Sequence, residues 1–385
     1  MSITENIQNT TKPCVVITNQ AHKVHILSKL QAKRIMKPIQ FLTPRDLFDK
    51  VFFKLKPQAM YTLSKVLNKK PAIIAAWLEF IPFLSNKHAN IDALTPLFEL
   101  RDVLHDHDLI EPNPFKTLQF NNKALFVYGT FKQPYMTPLL DMLAREHKVV
   151  QIPFAKNNEP KAELLTAPDK ETEVVDIALS IIEAVRGGIP LEEIKLFNVP
   201  KSYQTVVKHV FDLFNIPLSL NETNPLLSFP LTQAFLKRLE NTQETHLKTA
   251  VSQILADLNQ TVVDATSKHV LQSIQAVLNP VVYYVEHVED NLPYIRYLFE
   301  QKQVRKPVIK PSVQAIQAEQ FNPDAVSVLF VPGMHEGGNF TFIEENDLID
   351  ESVKQTIGYP TAKALNRDLI DLYTTTLQKA PHVIY

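Results

Sequence analysis

The sequence predicts a mixed α/β fold: two parallel-sheet lobes with helical insertions, the second lobe split in sequence. Three observations carry that expectation. The run Lys123-Ala-Leu-Phe-Val-Tyr128 is apolar after its first residue and ends in Gly129, the pattern of a strand buried on both faces of a parallel sheet. Short apolar runs alternate with amphipathic helices from 164 to 220 and again after 320, an order that requires crossover connections. Finally, 385 residues, 45% hydrophobic and 21% charged, exceed one core and describe an ordered chain of two or three packed units.

Each element follows from its own pattern. Cys14-Val-Val-Ile-Thr18 is a short buried strand, followed by a helix from about Ala21 to Ala32. Ile39 to Leu42 is a strand, and Thr43-Pro44 reads as an N-cap with proline in the first helical position. Helical spacing then runs through Leu47 to Phe52, Met60 to Leu67, Ile73 to Phe83 and Leu94 to Leu104. After the Lys123–Tyr128 strand come a helix, Tyr135 to Glu146, and a strand, Val149 to Pro153. Leu164 to Thr166 reads as a strand, and Asp169 caps a helix closed by Gly187-Gly188. Strand Ile194 to Val199, helix Ser202 to Phe214 and strand Ile216 to Leu220 complete this stretch. From Leu226 to Phe299 the pattern is helical, with one strand-like run at Val281 to Val285. The tail returns to α/β with strand Val326 to Val331, a glycine loop, helix Ala362 to Leu377 and strand His382 to Tyr385. The expected division is 1–155 for the first lobe, 156–225 with 306–385 for the second, and 226–305 for a helical insertion.

Composition excludes several chemistries. One cysteine, Cys14, rules out an internal disulfide, a four-thiolate cluster and a zinc ribbon. With a polar N-terminus and no apolar run long enough to span a bilayer, the expected setting is cytoplasmic and away from membranes. Seven glycines stand against 27 prolines, and none precedes Gly129. A phosphate-cradling loop needs glycines where backbone amides approach phosphates, so the first third holds neither a Walker A loop nor a dinucleotide fingerprint. Net charge is −1, yet residues 1–70 carry thirteen Lys and Arg against Glu5, Asp46 and Asp49, a local balance of +10. Such a concentration suits a phosphate backbone, and equally a solvated lysine-rich helix face.

A split second α/β lobe after a first lobe with helical inserts is the organisation of superfamily-one helicases. Glu171-Thr-Glu-Val-Val-Asp-Ile-Ala, Gly188-Ile-Pro-Leu-Glu-Glu-Ile-Lys-Leu-Phe-Asn, Tyr203, Phe214-Asn-Ile-Pro-Leu and Asn224-Pro-Leu-Leu-Ser-Phe-Pro-Leu resemble the second motor domain of helicase–nuclease B subunits, the AddB and RexB proteins, with RecC more distant. Val328-Leu-Phe-Val-Pro-Gly-Met-His-Glu-Gly-Gly338 is similar to the strand and loop of helicase motif V, and Arg367 to Tyr385 to motif VI. The resemblance spans residues 120–240 and 320–385, and 1–120 weakly. It implies two RecA-like (P-loop-NTPase-like) lobes. It departs from active motors in two places. Asn-Gln-Ala-His-Lys follows Thr18 where a P-loop belongs, and Leu377 aligns with the motif VI arginine that steadies charge on the γ-phosphate. Sliding Lys379 into that register substitutes a point charge for a planar fork.

Other chemical letters have structural readings. Asp169 with Glu193-Ile-Lys195 matches a PD-(D/E)XK nuclease, but a periodic helix separates them and Asp169 stands at an N-cap. His105-Asp-His-Asp108 marks a helix end, since adjacent helical residues point apart. The acidic group Glu344, Glu345, Asp347, Asp350 and Glu351 reads as a solvated loop, and Trp77 and Tyr135 as core. The resemblance therefore implies a non-catalytic DNA-binding scaffold in double-strand break repair and recombination, without ATPase, nuclease, cofactor or metal. It would hold single-stranded DNA beside an AddA/RexA-like motor. The DNA contacts expected are Lys23, Lys29, Lys33, Arg34, Lys37, Lys54, Lys56, His335, Gly337 and Gly338. Two other readings stay open: an enzyme with a ligand cleft near Gly129 and Gly333, and a structural fragment whose region 226–305 docks a partner.

Overall fold

The computed structural model describes residues 2–112, 118–129, 131, 133–152, 161–220, 223–262, 264–305, 311–335, 338–340, 342–345 and 349–385. Two compact units form: Met1–Phe53, Asn113–Leu220 and Val308–Tyr385 make the first, Lys54–Pro112 and Asn221–Pro307 the second. The fold is mixed α/β with parallel sheets. No described helix is long and apolar enough to cross a membrane.

Along the chain, α1 (Ile3–Asn9) precedes β1 (Cys14–Ile17), α2 (Gln20–Ala32), β2 (Ile39–Leu42) and α3 (Pro44–Val51). Three helices follow in the second unit, α4 (Ala59–Val66), α5 (Pro71–Leu78) and α6 (Thr95–Asp106). The first unit resumes with β3 (Ala124–Tyr128), α7 (Met136–Glu146), β4 (Val149–Ile152), β5 (Lys161–Glu163), α8 (Lys170–Arg186), β6 (Ile194–Phe197), α9 (Lys201–Leu213) and β7 (Leu218–Ser219). The second unit is then completed by β8 (Thr223–Pro225), α10 (Pro230–Glu240), α11 (Leu247–Thr261), α12 (Ala265–Val281), α13 (Leu292–Gln301) and β9 (Gln303–Arg305). Last come β10 (Val313–Ile316), β11 (Val328–Phe330), α14 (Glu351–Ile357), α15 (Ala362–Lys379) and β12 (His382–Ile384).

The first unit carries two parallel sheets. One has the order β2-β1-β3-β4 and the other β5-β12-β11-β6-β10-β7. All four residues of β1 are buried, as a strand covered on both faces requires, and their alternation sends Cys14 and Val16 into a cluster with Ile26 and Leu30 of α2. In the larger sheet Val174, Ile177, Ala178 and Ile181 of α8 and Val207, Val210 and Phe211 of α9 cover Ile194 and Leu196. The caps match the sequence. The Asp169 side chain accepts the Thr172 N–H, and Thr43 and Asp46 close a reciprocal capping box on α3.

The second unit packs α10 to α13 around Phe235, Leu247, Ile274 and Ile295, with Met60 and Tyr61 of α4 against the same core. An antiparallel pair, β8 and β9, ties the two ends of this segment together.

Four expectations need correction. The strand placed at Leu164–Thr166 is β5, three residues earlier; it is an exposed edge strand, so it lacks an apolar signature, and Leu164 is itself exposed. The run Val281 to Val285 is the end of α12 and a turn, because Val281 and Val285 meet at helical spacing, with the Val285 N–H bonded to the Val281 carbonyl. The second sheet resumes at β10, before residue 320, on a strand whose Gln314 disguises its burial. Gln314 lies in register with buried Lys195, and the ammonium donates to its side-chain oxygen at 3.0 Å. The acidic group is not one solvated loop: Asp350 caps α14, and Glu351 pairs with buried Lys354 at 2.7 Å and accepts the Ala362 N–H. Asp347 lies outside the described residues.

Candidate functional site

In open parallel sheets, ligands lie beyond the carboxyl ends of the strands. The first such place is the turn from β1 into α2. Thr18 is buried, and Asn19 is the N-cap, its Oδ1 accepting the His22 N–H at 2.9 Å. The amide nitrogen of Asn19 donates to the Glu319 carbonyl. His22 is 1% exposed, its Nε2 lies 2.9 Å from the Phe321 carbonyl oxygen, and its ring meets Tyr128 edge-on at 5.5 Å. Gly129, at φ +106°, closes behind the ring; a Cβ there would stand 2.6 Å from His22 Nδ1. Further along α2, Asp324 faces His25 Nε2 at 3.7 Å one turn on and pairs with Lys29 at 2.5 Å two turns on.

Electrostatically this turn is turned inward. A helix N-terminus normally attracts anions. Here the donors of its cap and first turn meet the negative ends of two carbonyl dipoles from the segment between β10 and β11. Burial pushes the His22 imidazole below its usual range, and burial with nearby Lys29 does the same to His25. Burial, reinforced by Asp324, pushes the Tyr128 phenol up.

The second place is the edge where β6 and β11 end. Asn198 takes a left-handed turn at φ 49° as the chain leaves β6, its N–H bonded to the Ile316 carbonyl. Gly333, at φ +74°, donates its N–H to Glu173 Oε1 at 2.7 Å, and the Tyr203 hydroxyl donates to Oε2 of the same carboxylate at 2.7 Å. Asn339 is buried, and its amide reaches the carbonyls of Phe197, Asn198 and Pro332 at 3.0, 3.0 and 2.9 Å. Burial first, and then the Glu173 carboxylate, push the Tyr203 phenol up. Gly338 packs on the Gly333 carbonyl so closely that a Cβ would lie 2.2 Å from its oxygen. Gly333, Gly338 and Asn339 are thus pinned by their own partners, leaving Met334 and His335 exposed beside them.

The expected DNA contacts fall into separate environments. Lys29 is paired with Asp324. Lys37 donates to the carbonyls of Ile7, Gln8 and Thr10, closing the C-terminus of α1. Lys54 and Lys56 belong to the second unit and pair there with Glu111 and Asp108. The Lys23 ammonium lies 5.9 Å from the centre of the Phe41 ring. Lys33 and Arg34 are exposed just past α2, Arg34 at φ 54°. His335 and Gly338 share the loop after β11, and Gly337 lies outside the described residues.

The nuclease letters do not converge. Asp169 is consumed at its cap, Glu193 accepts from the Ser327 hydroxyl at 2.5 Å, and Lys195 is held by Gln314 and the Glu192 carbonyl. His105 and Asp106 end α6, Asp108 turns at φ 49°, and no cluster of three metal-ligating side chains occurs among the described residues. Leu377, the residue expected at the motif VI position, packs partly buried against Phe197, Leu329 and Val383. Gly129 and Gly333, the glycines flagged as cleft markers, are filled respectively by His22 and by contacts with Pro200 and Tyr203.

Sequence reading missed Asn19, His22, Glu173 and Asn339. Asn19 had a signal, a capping residue directly after a buried strand, and so did His22, a polar residue on the apolar stripe of Ile26 and Leu30. Asn339 had none, since its acceptors are carbonyls of distant segments. No protein-family model matches the chain, and no curated protein matches it.

Proposed function

We propose that the chain is a non-catalytic, helicase-like DNA-binding scaffold of the AddB/RexB type, working beside an AddA/RexA-like motor in double-strand break repair and recombination. In this reading the two parallel sheets of the first unit are RecA-like lobes, the second split by the helical segment. The observation that carries it is the turn after β1. Where an active lobe wraps phosphate in glycine-rich backbone, this chain places Asn19 and His22 and directs them to the carbonyls of Glu319 and Phe321. A phosphate oxygen entering there would lose its donors to those carbonyls and meet their negative ends. The resemblance of 120–240 and 320–385 to B subunits supports the same reading.

Phosphate contact falls to Lys33 and Arg34, with the exposed His335 at the glycine loop as a second contact. Lys29, Lys54 and Lys56 already answer carboxylates and contribute less. Titrating labelled single-stranded DNA at several salt concentrations tests this. Two neutralised phosphates give a log–log slope of about −1.4, which the double replacement Lys33→Glu, Arg34→Glu abolishes. Binding indifferent to salt, or ATP hydrolysis by the purified chain, overturns the proposal.

A further inference from the structure

β2 is an edge strand: among the described residues it pairs with β1 alone. The Cys14 N–H bonds to the Pro38 carbonyl and the Thr18 N–H to the Leu42 carbonyl. In a parallel ladder this register turns residues 38, 40 and 42 toward β1 and the peptide groups of Ile39 and Phe41 outward. The side chains of Ile39 and Phe41 share one face of the strand and, with Leu30 and Ile35, floor a groove of about 870 Å³ between β2 and α2. Its lip is apolar and open, with Met36 95% and Leu27 44% exposed. The lining holds two lysines, Lys23 and Lys37, and no carboxylate.

We infer that this groove is a docking site for an extended peptide segment of a partner protein, added as a strand on β2, with apolar side chains at alternate positions and carboxylates flanking them. Each part of the recognition has a counterpart on the surface. The outward peptide groups of Ile39 and Phe41 need both donors and acceptors, which a peptide backbone supplies and a phosphodiester does not. The period-two spacing of a strand drops every second side chain onto the aliphatic floor. Lys23 supplies the charge that an acidic flank complements, while the Lys37 ammonium is committed to the carbonyls that end α1. The floor is mainly aliphatic, which suits Val, Leu or Ile rather than stacked bases. Pro38 and Pro44 bracket an edge only four residues long, so generic sheet extension is blunted while a short guest strand still fits.

This inference does not rest on the DNA-binding reading: Leu27→Asp and backbone N-methylation test it apart from any phosphate contact, and Lys33→Glu, Arg34→Glu serves as the control. A random-peptide display library is selected against the full chain, and the enriched peptides are synthesised and titrated by fluorescence anisotropy. The expected winners alternate apolar residues and carry Asp or Glu at the flanks. Their affinity falls about tenfold or more with Leu27→Asp, with Lys23→Glu, and with peptides N-methylated at alternate amides, while Lys33→Glu, Arg34→Glu leaves it within about twofold. Leu27 and Lys23 lie on the open face of α2, so both variants keep the fold, which circular dichroism checks. Winners lacking the alternation, affinity unmoved by Leu27→Asp or N-methylation, displacement by single-stranded DNA, or a concentration-dependent dimer that Leu27→Asp dissolves each overturn the inference.

Discussion

Gly129 shows how one atom decides whether the first strand end is closed or open. Its φ of +106° strains any side chain, and a Cβ would collide with His22 at 2.6 Å. Gly188 separates the two costs, because it shares a positive φ of +94° but has nothing within 4 Å of a Cβ. Gly188→Ala is expected to cost about 1 kcal/mol from backbone strain alone, and Gly129→Ala about 2–4 kcal/mol, because the His22 ring must also move. Urea titration of both variants checks this. The excess should shrink in the His22→Ala, Gly129→Ala pair; equal losses at the two glycines would mean that the ring yields freely. Asn339 is the parallel case at the second strand end, where one amide serves three carbonyls. Asn339→Leu keeps the volume but strands those acceptors, with a loss of about 2–3 kcal/mol expected in the same titration.

Among the elements, those that announce themselves do so through local chemistry. Asp169 and Thr43 cap helices as their sequences say, and the four-residue run of β1 reads as a buried strand because nothing polar interrupts it. Thr43→Ala, which removes the capping box on α3, is expected to cost about 1 kcal/mol by urea titration. Elements that stay hidden are settled by distant partners. β10 conceals itself because Gln314 is matched by Lys195 from another strand, and β5 because an exposed edge strand needs no apolar face. At the candidate site the same limit holds. The absence of glycine after β1 is legible, whereas the carbonyls of Glu319 and Phe321 that fill the space arrive from three hundred residues away. Charge alone marks Lys37 as a phosphate contact, yet it closes α1 by donating to Ile7, Gln8 and Thr10. Helix ends leave such carbonyls without intrahelical donors. Lys37→Met should therefore fray α1, seen as faster amide exchange over residues 3–9 and a loss of about 1–2 kcal/mol. Unchanged exchange there would return Lys37 to the pool of solvent-facing charges.

Across the whole first unit, the buried histidines of α2 make stability depend on pH with a definite sign. His22 and His25 both have folded-state values depressed chiefly by burial. The unfolded chain therefore takes up protons first as pH falls below about 6.5. A depressed histidine contributes stability that is complete above that value and is lost as pH drops toward the folded-state value. The facing charges do not reverse the sign. Lys29 opposes protonation of His25, Asp324 favours it, and His22 meets carbonyl oxygens, Tyr128 and His25. Each histidine adds at most about 1.4 kcal/mol of lost stability per pH unit across that window. Unfolding free energies between pH 8 and pH 5 should hold steady down to about 6.5 and then fall, with His22→Gln removing about one proton from the slope. Because these side chains join α2 to the segment between β10 and β11, that contact should open first, with amide exchange rising at Asn19 to Lys23 and Ala318 to Asp324 before the sheet cores yield. A flat profile down to pH 5, or a full slope retained by His22→Gln, would place the acid sensitivity elsewhere.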